Sequence, residues 1–146
     1  MNDELTHRVA AAAYLFRDRK MLLLRRCEPP CTFVPPGGKL ELNEDPLDGL
    51  RREVREETGL EIEVIGLAHT WFGRITTGDQ LLLAINYLAT TDHGEVRLSD
   101  EHTDYVWVTR EQLANGEIDT RDCVGDGYHR DDLLDAFDLF EQAGET

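Results

Sequence analysis

The sequence has few cationic side chains, and lysine occurs only twice. Fifteen lysine and arginine residues stand against 30 aspartate and glutamate residues, so the 146-residue chain has a formal net charge of −15. A surface that follows nucleic-acid phosphates needs clustered cations, so this composition argues against one. An acidic, lysine-poor chain is typical of proteins from salt-loving organisms, where salt screens self-repulsion. An acidic protein from an ordinary environment is the alternative interpretation.

Long apolar runs are also missing. The longest run, residues 9–16, has eight residues, far fewer than the roughly 20 that a membrane-spanning helix needs. The first residues, MNDELTHRVA, lack the basic and then apolar segments of a secretory signal. We therefore expect a soluble, cytoplasmic protein with no membrane partner.

Cysteine is scarce and poorly placed for a structural role. Cys27, Cys31 and Cys123 cannot all pair within one chain, and no second Cys or His pair stands at zinc spacing from the first two. We expect free thiols. No linker, low-complexity tract or internal repeat divides the chain, so we expect a single domain over residues 1–146.

Apolar patterning predicts a layered α/β domain. Strands are expected at residues 8–16, 21–24, 62–65, 80–88 and 105–108, with a loop or broken strand edge at residues 28–38. Asp45 and Pro46 predict the start of a helix, and Gly59 predicts its end. Gly49 lies inside this helix, at a cost of about 1 kcal/mol relative to alanine. A short helix capped by Thr109 and a last helix over residues 131–142 complete the prediction.

The first predicted helix carries three closely spaced glutamates, Glu53, Glu56 and Glu57. At 100° per residue they lie within an arc of about 100°, so their carboxylates converge. Like charges at i,i+4 destabilise a helix by roughly 0.2–0.5 kcal/mol. A solvated acidic face offset by neighbouring arginines is one explanation. A divalent cation would remove the repulsion more completely, and carboxylate oxygens suit Mg²⁺ or Mn²⁺.

Residues 38–60 resemble the Nudix box, G-x5-E-x7-R-E-U-x-E-E-x-G-U with U an aliphatic residue. The flanking segments TFVPPGGKLE and SDEHTDYVWVTREQL are also similar to sequences of this MutT-like Nudix hydrolase family, with Phe33 where tryptophan is common. The resemblance implies an α/β/α sandwich with a mixed β-sheet. It also implies hydrolysis of a nucleoside diphosphate linked to another moiety. The fixed positions of the box are filled by Gly38, Glu44, Arg52, Glu53, Val54, Glu56, Glu57, Gly59 and Leu60.

The resemblance also implies roles for individual residues. Arg52 would hold a catalytic glutamate by a bidentate contact, and Glu44 would brace the loop and the helix. The general base that takes a proton from the attacking water would be Glu53 or Glu101, and Glu101 as a plain surface acid is the alternative. The ligands of Mg²⁺ or Mn²⁺ would be Glu53, Glu56, Glu57 and the carbonyl of Gly37.

Substrate contacts and rival functions stay open at this point. Two groups of residues could line a substrate cleft or belong to the core: His69, Trp71, Phe72 and Arg74, and Tyr128, His129 and Arg130. A non-catalytic nucleotide-sensing domain and an isopentenyl-diphosphate isomerase, which uses a cysteine with a glutamate, are the alternatives to a hydrolase. The short chain favours a nucleoside triphosphate as substrate, and homodimers are common in the family.

Overall fold

The computed structural model describes residues 6–74, 81–121 and 127–144. Gln80, where a strand is predicted to begin, and Cys123 lie outside these residues. Across the described ranges no helix has the length and apolarity to span a bilayer. The described residues form β1 (His7–Arg17), β2 (Lys20–Arg26), β3 (Phe33–Val34), β4 (Gly37–Lys39), α1 (Pro46–Thr58), β5 (Glu63–Arg74), β6 (Leu81–Thr90), β7 (His102–Val108), α2 (Arg110–Ala114) and α3 (Arg130–Gln142).

The strands form one mixed sheet. The main path runs β3-β2-β1-β6-β5, while β4 pairs with β1 and β7 pairs with β2. Strands β1 and β6 are parallel from the pair His7 and Leu81 to the pair Phe16 and Thr90. The other pairings, including β1 with β2 and β5 with β6, are antiparallel. The predicted mixed sheet is confirmed.

The side chains of β1 point alternately to the two faces of the sheet, and the core therefore has two layers. Tyr14 and Phe16 point to the face covered by α2 and α3, where they pack with residues such as Phe137. Ala13 and Leu15 point to the opposite face, which α1 covers through Leu50 and Val54. Because successive side chains of a strand face opposite sides, one buried strand supplies both layers. The predicted α/β/α sandwich is confirmed.

Helix α1 begins and ends where the sequence predicts. The Asp45 carboxylate accepts hydrogen bonds from the backbone N–H groups of Leu47, at 3.0 Å, and Asp48, at 3.3 Å. Pro46 occupies the first turn, where its missing N–H costs nothing. Gly59 ends the helix in the left-handed conformation, with φ at 76°. The glutamates near the C-terminal end of α1 are thus held at a well-defined place.

The predicted bounds of two strands are wrong. Strand β5 runs from Glu63 to Arg74, well beyond residue 65, because it pairs with β6 along its length even where Leu67 and Phe72 are exposed. Strand β7 begins at His102 instead of residue 105, because its first residues pair with β2. Backbone pairing with a neighbour extends both strands past their apolar pattern.

Gly49 has a packing role that helix propensity does not show. A Cβ at this position would lie 2.3 Å from the Leu40 Cδ2 atom and 2.9 Å from the Glu44 Oε1 atom. Leu40 is buried, and Glu44 is held by Arg52. The absence of a side chain therefore lets the segment before α1 lie close against the helix.

We expect Gly49→Ala to lower the free energy of unfolding by about 1 kcal/mol. Helix propensity alone would raise stability by about 1 kcal/mol, but overpacking a filled site typically costs ~1–3 kcal/mol. Urea unfolding measures the net change. Gly66→Ala is the control, because a Cβ there meets no atom within 4 Å. A more stable Gly49→Ala variant would contradict the packing argument.

Candidate metal and catalytic site

Two glycines of β4 let the carboxylates of α1 approach the sheet. The Gly37 N–H donates a hydrogen bond of 2.8 Å to Glu57 Oε1. A Cβ on Gly37 would lie 2.3 Å from the Ala11 carbonyl oxygen, and a Cβ on Gly38 would lie 2.6 Å from the Glu53 carboxylate. Gly37 also has φ at 154°. Side chains at either position would separate β4 from β1 or from α1.

Three donor side chains come together at this junction. One donor atom each from Glu57, Glu101 and His102 lies within 4.8 Å of the other two. Glu57 projects from α1, Glu101 immediately precedes β7, and His102 is the first residue of β7. Carboxylate oxygens and an imidazole nitrogen are common ligands of divalent cations. The junction therefore offers a donor set that a divalent cation fits.

Burial and like charges act on the glutamates of this junction. Burial raises the pKa of Glu57 to about 8, and the neighbouring Glu53 and Glu101 carboxylates add to this rise, whereas the Gly37 N–H opposes it. Burial also raises the pKa of Glu53, which the guanidinium of Arg52 partly offsets. These carboxylates hold negative charge poorly without a counter-charge. A cation would supply that counter-charge.

His102 was not predicted as a site residue. Its Nδ1 atom is buried and, among the described residues, has no hydrogen-bond partner. Burial lowers the pKa of its ring, and Arg26 lowers it further, while Glu101 opposes the change. A neutral imidazole keeps a lone pair available for a cation. The available sequence signal was its position next to Glu101 in SDEHTDYV.

Arg52 makes its bidentate contact with Glu44, which differs from the expected contact with a catalytic glutamate. Its Nε donates to Glu44 Oε2 at 2.7 Å, and its Nη2 donates to Oε1 at 2.9 Å. Its Nη1 contacts Glu53 Oε1 at 3.1 Å and Glu56 Oε2 at 3.2 Å. Hydrogen bonding from Arg52 lowers the pKa of Glu44 to about 2. Arg52 therefore links the loop before α1 to two glutamates on the helix.

The three glutamates of α1 occupy different environments. Glu57 is buried, with 4% of its surface exposed. The side chain of Glu53 is 15% exposed, and that of Glu56 is 60% exposed and directed to Arg52. Glu101 is far from Glu57 in the sequence, yet donor atoms of the two residues lie within 4.8 Å of each other. The group of Gly37 that contacts Glu57 is its N–H, which donates to Oε1.

The other predicted substrate residues divide between surface and core. Trp71 and Phe72 are exposed on β5, and Arg74 ends that strand. His69 Nε2 lies 2.6 Å from the Tyr14 hydroxyl oxygen. Tyr128 donates a hydrogen bond of 3.0 Å to Asn86 Oδ1. His129 and Arg130 stand at the start of α3.

Cys27 and Cys31 are free thiols, as predicted for these two positions, and both are exposed. The Cys27 Sγ donates a hydrogen bond of 2.9 Å to the carbonyl oxygen of Asp100, and the Cys27 N–H donates to the Glu101 carbonyl oxygen at 3.1 Å. The loop that carries Glu101 is therefore anchored to the end of β2.

Comparisons with known proteins agree with this geometry. A family model described as NUDIX domain matches residues 6–124. A MutT-like protein from Streptomyces ambofaciens is 35% identical over 109 residues, which cover 74% of this chain and 68% of that protein. A MutT NUDIX hydrolase from Burkholderia pseudomallei is similar in structure, with a TM-score of 0.66, 28% identity, and coverage of 72% and 84% of the two chains. A MutT protein from Methanosarcina mazei Go1 shares the fold, with a TM-score of 0.71, 24% identity, and coverage of 99% and 100%.

We expect the metal-free protein to lose stability as the pH rises from about 5 to about 8. The folded protein keeps a proton on Glu57 up to its pKa of about 8, whereas the unfolded chain releases that proton near the ordinary value of 4.5. Between these values the folded state binds more protons, so the free energy of unfolding falls with rising pH. Thermal unfolding in the presence of a chelator, from pH 5 to pH 8.5, measures the fall.

Glu57→Gln should make this pH profile less steep, because glutamine does not titrate, while Glu53, whose pKa burial also raises, remains. Glu111→Gln, an exposed change on α2, is the control and should leave the profile unchanged. Parallel profiles for the wild type and Glu57→Gln would show that Glu57 is not the group that titrates.

Proposed function

The chain belongs to the NUDIX domain family, and from that premise we propose that this Nudix pyrophosphohydrolase is a Mg²⁺- or Mn²⁺-dependent enzyme. Its proposed substrate is a nucleoside diphosphate linked to another moiety, with a nucleoside triphosphate as the favoured case. The observation that carries the proposal is the convergence of Glu57, Glu101 and His102 beside Glu53. Crowded carboxylates are suited to a site that a cation and a diphosphate share.

The residues of the junction fit a divalent cation. The ionised forms of Glu57 and Glu101 would hold it, with Glu56 and the Gly37 carbonyl as further candidate ligands. A bound divalent cation would neutralise charge on the diphosphate oxygens and lower the pKa of the attacking water. The Gly37 N–H donates a hydrogen bond to Glu57 Oε1 and so limits rotation of this carboxylate.

Glu53 is the proposed general base. Its carboxylate is mostly buried, and burial raises its pKa toward the range in which a base works well near neutral pH. Arg52 Nη1 contacts the Oε1 atom of this carboxylate at 3.1 Å. Glu101 is then a ligand, because it belongs to the three-donor group with Glu57 and His102.

Arg52 and Glu44 are positioning residues in this proposal. The bidentate contact fixes the plane of the guanidinium, and the Glu41 N–H donates to Glu44 Oε1 at 2.9 Å. A planar guanidinium held in this way presents Nη1 to Glu53 in a single orientation. Lysine could not make the same set of contacts.

We expect the double substitution Glu56→Gln and Glu57→Gln to abolish metal-dependent turnover while the fold is retained. The measurement is hydrolysis of a panel of nucleoside diphosphate compounds with Mg²⁺ or Mn²⁺, with phosphate and pyrophosphate quantified separately. Parallel assays at high and low salt test whether the acidic surface needs screening. The control is Glu63→Gln with Glu117→Gln, two exposed positions outside the junction. Full activity of the first double variant would refute the proposed site.

We expect Glu53→Gln and Glu101→Gln to separate catalysis from metal binding. Loss of a general base typically costs about 10²–10⁴-fold in rate, so Glu53→Gln should lower kcat by that order at saturating metal. Glu101→Gln should raise the metal concentration needed for half-maximal activity, and excess Mn²⁺ should restore much of its rate. If Glu53→Gln costs only a few-fold, or if Glu101→Gln resists rescue, the two roles are assigned wrongly.

A further inference from the structure

The donor group at the junction contains a nitrogen as well as oxygens. A ring nitrogen of His102 lies within 4.8 Å of a carboxylate oxygen from each of Glu57 and Glu101. Two ligands that each lie about 2.1 Å from one cation are at most about 4.2 Å apart. Small side-chain movements would therefore bring all three atoms to one ion. Without His102, the donor group would consist of the two carboxylates of Glu57 and Glu101 and would offer oxygen atoms only.

His102 has an unsatisfied atom in this environment. Its Nδ1 is buried and has no hydrogen-bond partner among the residues that the structure describes. Buried polar atoms nearly always have a partner, so such an atom requires an explanation. Glu57 and Glu101 are not partners of Nδ1, because neither carboxylate forms a hydrogen bond with it.

Backbone contacts hold each of the three donor residues in place. His102 is the first residue of β7 and pairs with Arg26 of β2. The Glu101 carbonyl oxygen accepts the hydrogen bond from the Cys27 N–H, at 3.1 Å. Glu57 is fixed on α1 by the N–H of Gly37. A preorganised donor set of this kind lowers the ordering cost of binding an ion.

From this arrangement we propose that His102 is a nitrogen ligand of the cation and that it makes the site bind Mn²⁺ in preference to Mg²⁺. This inference deepens the proposed function, on which it rests. Imidazole is a good ligand for first-row transition ions, whereas Mg²⁺ prefers oxygen donors and keeps several waters. A site with two carboxylates and one imidazole accordingly selects the transition ion. An all-carboxylate site would discriminate much less between the two ions.

The test uses Mn²⁺ itself as the probe, without substrate. Pulsed electron paramagnetic resonance of the Mn²⁺-loaded protein should show ¹⁴N coupling from a coordinated imidazole, and His102→Phe should remove it. Titration of the free Mn²⁺ signal should show that His102→Phe weakens Mn²⁺ binding by about 10- to 100-fold. Competition with Mg²⁺ in the same titration should show that Mg²⁺ binding changes much less, so the preference for Mn²⁺ falls.

His93→Phe is the matched control, because His93 is exposed and contacts Asp92 away from the junction. It should retain both the ¹⁴N coupling and the Mn²⁺ affinity. His102→Asn is a second variant, which replaces the nitrogen donor with an oxygen donor and should favour Mg²⁺ relative to the wild type. Thermal unfolding of each metal-free variant confirms that the fold is intact.

The outcomes separate this inference from the proposed function. Mn²⁺ bound without ¹⁴N coupling, with equal affinity in His102→Phe, would overturn the role of His102 and leave the hydrolase proposal standing. A ¹⁴N coupling that depends on His102, in a protein that hydrolyses no diphosphate compound, would support the metal site and refute the proposed function.

Discussion

Repulsion between carboxylates packed at the junction of α1, β4 and β7 is the constraint on which the rest of the site depends. Glu57 is almost fully buried, yet its nearest charged neighbours include the carboxylates of Glu53 and Glu101. An arrangement of this kind is unfavourable for folding unless a proton or a cation reduces the charge. The fold accepts a local loss of stability at the place where the chemistry is proposed to occur.

The remainder of the domain holds this junction together. Leu50 and Val54 are buried against the sheet and fix the rotation of α1 about its axis. Gly37 lets β4 lie directly on β1, which brings its N–H to Glu57. Arg52, which Glu44 holds in place, adds a positive charge beside Glu53 and Glu56. Apolar packing thus supplies the stability that the carboxylates remove.

The sequence predicted the parts of the fold that depend on local chemistry. The cap at Asp45, the end of α1 at Gly59 and the cap at Thr109 are encoded by short-range preferences, and the structure confirms them. The length of β5 was not predictable, because it follows from pairing with β6. Helix propensity predicts that Gly49 destabilises α1. The structure gives a reason for glycine there, because a Cβ would clash with Leu40.

The sequence by itself determined the family resemblance, the layered fold and the identity of the carboxylates on α1, because helical spacing and box spacing are properties of the chain alone. Only the tertiary structure decided which groups face one another. It brings Glu101 and His102 to Glu57 across 44 or more positions, and it directs the bidentate contact of Arg52 to Glu44. Long-range strand pairing sets these contacts, and no local pattern in the sequence encodes the partner that a side chain meets across the sheet.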